Sequence, residues 1–105
     1  MMAKTRRQQL QEMLAEEPND PFLRYGLAME FISEGNDQEA VRCFGELLTI
    51  APEYVPGYLQ AGQAFVRLER LEEARAVFGR GIAKARELGD HHAADEMEAF
   101  LANLA

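Results

Sequence analysis

"EAVRCFGEL" runs from Glu39 to Leu47, and "EARAVFGRG" runs from Glu73 to Gly81, thirty-four residues later. Glutamate, alanine, phenylalanine and glycine return in register, while most positions between them do not. The same offset extends outward from this stretch. Leu14 meets Leu48, Pro18 meets Pro52, Ala28 meets Gly62, Phe31 meets Phe65 and Ile32 meets Val66. Small and apolar residues recur and solvated ones drift, as stacked units require when packing is constrained and the outside is free.

The segments between the turn signals carry helical periodicity, and none shows the sustained alternation of a strand. A first helix is predicted over residues 3–16, with Leu10, Met13 and Leu14 on one face. "PNDP" punctuates the chain next. Asp20 is placed to cap a second helix, over 21–34, and Pro21 takes its first turn, where a missing N–H costs nothing. Gly35 stops that helix. Asn36 and Glu39 are spaced as a capping box for a third helix over 37–50. Pro56 suits the first turn of a fourth helix, which ends near Leu68. A fifth spans 71–88 and stops at Gly89, and Asp90 caps a sixth ending near Leu104. Short connections between six helices predict an all-α antiparallel array.

At these residues the chain resembles the tetratricopeptide repeat (TPR) family, whose units are 34-residue helix pairs patterned W-x-x-L-G-x-x-Y…A-x-x-x-F…P. Arg24, Leu27, Ala28, Phe31, Ala40, Phe44 and Pro52 take the pattern positions of a first repeat. Tyr58, Ala61, Gly62, Phe65, Ala74 and Phe78 take those of a second. The resemblance implies a single domain: a half-repeat helix over 1–20, repeats over 21–54 and 55–88, and a capping helix over 89–105. Four departures stand out. Arg24 replaces a large aromatic, Arg86 replaces the closing proline and Glu69 replaces a turn glycine. The sixth helix is out of register.

The resemblance also implies a function. In such arrays the first helix of each pair lines a concave groove that receives a peptide. The matching positions here are Phe22, Tyr25, Met29 and Ile32 on the second helix, and Leu59, Gln63 and Val66 on the fourth. On the second helix they form an apolar stripe beyond the face that the repeat consumes. The expected ligand is a peptide or helix of a partner protein, and the alternative is a homo-oligomer formed through the same groove. The family's carboxylate clamp needs lysines and asparagines, but its positions carry Tyr25, Met29, Leu59 and Gln63.

Composition narrows the remaining classes. The chain has 105 residues, one domain's worth, and its net charge of −7 disfavours phosphate backbones. Residues 61–88 carry +2, but their six cations are interleaved with Glu69, Glu72, Glu73 and Glu87, the signature of a solvated helix face. No nucleic-acid partner is therefore expected. Cys43 is the sole cysteine, which excludes an intramolecular disulfide and suits a reducing, cytoplasmic setting. No apolar run reaches membrane-spanning length. His91 and His92 point about 100° apart on a helix and cannot share a metal. No glycine-rich phosphate loop or nucleophile set appears, so no enzyme activity and no cofactor is implied.

Overall fold

The structure, a computed structural model, describes residues 3–104. Six helices follow one another: α1 (Arg6–Glu16), α2 (Pro21–Ser33), α3 (Asp37–Ile50), α4 (Val55–Arg67), α5 (Leu71–Glu87) and α6 (His91–Ala102). No strand occurs among the described residues. Each helix packs on its predecessor and successor, most heavily α2 on α3 and α4 on α5, and α6 also touches α4. This zigzag puts α2, α4 and α6 in one layer and α1, α3 and α5 in the other. The array measures 49 × 28 × 19 Å. No helix among the described residues is long and apolar enough to cross a membrane.

The repeat is visible in the helix limits. Pro21 and Val55, Ser33 and Arg67, and Asp37 and Leu71 are each thirty-four residues apart. The turns repeat as well. Gly35, Glu69 and Gly89 have φ of 77°, 60° and 78°. At each, the following N–H reaches back to the last turn of the helix: Asn36 to the Phe31 carbonyl (2.8 Å), Arg70 to Phe65 (2.9 Å) and Asp90 to Ala85 (2.7 Å). These are Schellman closures, which satisfy carbonyls that the helix end would otherwise orphan. Each closing residue is also the first cap of the next helix, and so the connection is very short. Asn36 and Asp90 accept from the N–H groups of Glu39 and Ala93, whereas Arg70 makes no side-chain cap.

Several boundaries differ from expectation. The first helix begins at Arg6, not Ala3, because Thr5 and Gln8 form a complete capping box. At α3 only half of the expected box forms. Asn36 caps Glu39 N–H, but the Glu39 carboxylate pairs with Arg42 one turn on. The second, fourth and fifth helices each end one residue early, at the closures, and α6 ends at Ala102. Arg86 lets α5 run to Glu87, three residues past the limit that its repeat partner α3 reaches, and pairs with Glu98 of α6. α6 starts two residues later than strict repetition would place it, so its slot is that of a third first-helix, without the repeat's sequence.

The core runs along the interface between the layers. Phe44, Phe78, Leu47 and Met97 are its largest fully buried side chains. Leu10, Gly26 and the α1–α2 contact close one end. Met97 and Ala94 of α6 close the other against Gly81 and Ala85 of α5. The ring of Phe100 stacks on Phe78 with centroids 5.8 Å apart. Arg24 occupies an aromatic slot of the repeat pattern without leaving a gap. Its guanidinium donates to the Pro18 carbonyl (2.6 Å) and pairs with Glu46 of α3, a polar strut between the helices of the first pair.

Candidate interaction surface

The even-numbered layer holds all seven residues singled out as groove candidates, and their environments differ sharply. Phe22 is 71% exposed, the most open large apolar side chain among the described residues. Met29 follows it two turns along the same face and is half-buried. Their repeat counterparts on α4 are Pro56 and Gln63. Tyr25 and Ile32 turn toward the core. The Tyr25 ring lies 6.2 Å from Phe44 and 5.3 Å from Tyr54, and burial followed by the neighbouring Tyr54 raises its phenol pKa. Leu59 and Val66 are likewise half-buried and packed on the core. Of the stripe read from α2, Tyr25, Met29 and Ile32 are half-buried against the core and only Phe22 is open to solvent.

A second feature of this layer comes from α6. Gln63, Val66 and Arg67 of α4 face Phe100, Asn103 and Leu104 across a cleft of about 340 Å³. Phe100 is 37% exposed at its wall. Arg67 is held there by two hydrogen bonds to Asp37 at 3.0 and 2.8 Å, which also tie α4 to the start of α3. Sequence reasoning placed Gln63 and Val66 on this face but missed the contribution of α6. The sequence reads this helix as a cap, and its stripe of Ala94, Met97, Leu101 and Leu104 serves that role. The available signal was Phe100, which lies off that stripe.

Four cations on or beside α5 are ion-paired. Arg70 binds Glu73, Arg75 binds Glu72, Lys84 binds Glu87 and Arg86 binds Glu98. His91 and His92 are exposed in the first turn of α6. Among the described residues no group of three or more His, Cys, Asp and Glu side chains is disposed to hold a metal. Cys43 is buried, and its thiol is pushed up by that burial.

The family model for the tetratricopeptide repeat matches residues 23–54. A TPR repeat-containing protein of Pseudomonas aeruginosa is 30% identical over 95 residues, which is 90% of each chain. Among solved structures, a tetratricopeptide repeat domain protein of Salinibacter ruber is 34% identical. Its solution structure superposes with a TM-score of 0.77, covering 83% of this chain and 88% of that one. Its crystal structure gives 0.75, covering 81% and 94%. A protein of Bordetella parapertussis, 22% identical, shares the fold over 97% of this chain and 89% of its own with a TM-score of 0.83. With a relative this similar along nearly its whole length, the chain belongs to the tetratricopeptide repeat family.

Proposed function

We propose that this chain is a non-catalytic protein-interaction module that receives a peptide or helix of a partner protein on the layer formed by α2, α4 and α6. Its organisation is read as one array: a half-repeat over 1–20, repeats over 21–54 and 55–88, and a cap over 89–105. The observation that carries the reading is Phe22. A phenylalanine 71% exposed to water has no packing role, yet it shares a face with Met29 and with the repeat counterpart of Met29, Gln63, at the α4–α6 cleft. A partner segment laid along this layer would cover Phe22 together with Val66 and Phe100 of that cleft. The face offers apolar contacts and an amide, with its one lining cation already engaged by Asp37. That chemistry suits an apolar segment better than a bare carboxylate.

The test is capture from native lysate with the parent chain, Phe22→Asp and Gln63→Ala, each also weighed by sedimentation at low micromolar concentration. A specific partner lost in both variants supports the reading. A parent that is already dimeric, and becomes monomeric in Phe22→Asp, would mean that the same face serves self-association. A partner retained by both variants would rule out this surface.

A further inference from the structure

The odd-numbered layer carries a groove of its own, between α3 and α5 with α4 as its floor. At one end Val41, Leu48, Phe65 and Val77 give it an apolar lining, with Thr49 and Arg80 at the mouth, in a volume of about 280 Å³. Val41 and Phe65 also line a neighbouring cleft that continues to Gln38 and Arg70, so the two are parts of one trough.

Two observations set this trough apart from ordinary surface. The first is charge. Ten of the eleven Lys and Arg side chains have a carboxylate partner within ion-pair distance. Arg80 has none among the described residues. Its guanidinium instead lies 5.4 Å from the centroid of the Tyr58 ring, and that ring is fixed by the phenol donating to the Pro52 carbonyl at 2.6 Å. The cation is thus held in place with its donors uncommitted to an acid. At the other end the balance is closed. Arg70 binds Glu73 through two hydrogen bonds of 2.7 Å, and holds the Glu73 carboxyl below its usual range.

The second is Gly45, a helix-interior glycine on the wall of the groove. The glycines at 57, 62 and 81 each leave room for a packed neighbour, but a Cβ on Gly45, or on its repeat counterpart Gly79 outside the groove, would meet nothing within 4 Å. Packing therefore does not explain why a helix-weakening residue stands here. Gly45 lines the groove, and its missing side chain leaves that part of the wall uncovered.

We propose that this trough is a second docking site, for an extended segment of a partner protein. An apolar side chain of that segment rests against Val41 and Phe65, and a carboxylate farther along pairs with Arg80. Val41, Phe65 and Arg80 line one cleft, so a single short extended segment reaches all three. The neutralised Arg70–Glu73 end offers no free cation, so the carboxylate belongs at the Arg80 end. This site stands independently of the one proposed for the even-numbered layer.

Selection of a displayed library of random dodecapeptides on the full chain tests it, followed by anisotropy titration of the selected peptides. Selected sequences should carry Asp or Glu close in sequence to an aliphatic or aromatic side chain. Arg80→Glu should weaken them about tenfold or more, as should Gln in place of the peptide's own acid. Gly45→Gln should weaken them too while the melting temperature holds or rises, which separates a filled groove from a misfolded chain. Phe22→Asp should leave them unchanged. Failure to select any peptide would overturn the proposal. So would peptides that tolerate Arg80→Glu or depend on Phe22, or a parent dimer that Arg80→Glu converts to monomer, since the occupant would then be a second copy.

Discussion

The ring of Phe78 fills the space in which Gly62 would carry a Cβ, whose nearest ring carbons would lie 2.3, 2.4 and 2.6 Å away. The matched pair in the first repeat is Ala28 and Phe44, both fully buried. One methyl group is therefore tolerated in one pair and excluded in the other. Helix propensity alone favours Gly62→Ala by about 1 kcal/mol. The overlap reverses the sign, because Phe78 is enclosed and cannot withdraw. Gly62→Ala should destabilise by about 1–3 kcal/mol, and Phe78→Leu in the same chain should recover part of the loss. Urea denaturation of the two single variants and the double variant reads this directly.

Glu69 turns the chain at φ 60°, where its repeat counterpart is Gly35 at 77°. A side chain in the left-handed region costs about 1–2 kcal/mol, and glycine gives back up to about 1 kcal/mol through the unfolded state. Glu69 is exposed and has no ion pair among the described residues to offset the strain. Glu69→Gly should raise the melting temperature by a few degrees, and Glu69→Ala should not.

The recurrence of Glu39, Ala40, Phe44 and Gly45 made helix limits and core legible, because the packed slots repeat and the turns are marked by Asn36, Gly35 and Gly89. Glu69 could be read as a strained turn for the same reason. Exposure on the even-numbered layer was harder to read. Whether Tyr25 faces water depends on where Phe44 of α3 and Tyr54, ahead of α4, come to lie, and the periodicity of α2 does not encode that. Arg24 looked like a missing anchor because its partner, Glu46, lies twenty-two residues away with no motif to link them. The part of α6 in the cleft was hidden because Phe100 both stacks on Phe78 and reaches solvent.

Removing α6 should be costly. Met97 is fully buried against Gly81, and Ala85 and Phe78 are covered in part by α6. A chain ending at Gly89 would open the last helix pair to water, with a two-repeat array too short to absorb the loss. Aggregation or a broad, non-cooperative melt is expected. A sharp transition at the parent temperature would show that α5 closes the array unaided.

Cys43 offers a pH-dependent check on the core. Burial pushes its thiol up, with the nearby Arg42 guanidinium acting in the opposite sense. A folded-state pKa above the unfolded one stabilises fully below the unfolded value, and that contribution is lost as pH rises beyond it. Maleimide at neutral pH should leave the native thiol untouched and label it only on unfolding. Above a pH of about 8.5, the melting temperature of the parent should fall more steeply than that of Cys43→Ala.

The two kinds of apolar residue in this chain should separate in a single comparison of Phe44→Ala, Met29→Asp and Phe22→Asp. Phe44 is fully buried between the helices of the first repeat, and its truncation should cost about 3–5 kcal/mol. Phe22 is 71% exposed, so a polar replacement should change stability by no more than about 0.5 kcal/mol. Met29 lies between these limits. It is half-buried against the core, so its replacement should cost about 1 kcal/mol, for the apolar area it keeps from water. The carboxylate introduced there can stay hydrated at the open side. If the even-numbered layer is the working surface, both Asp variants should lose the partner while remaining folded, and Phe44→Ala should lose it only in proportion to the unfolded fraction. A Met29→Asp chain as unstable as Phe44→Ala would instead make Met29 part of the core. Phe22 would then be the one candidate on α2 whose loss still tests the surface without disturbing the fold.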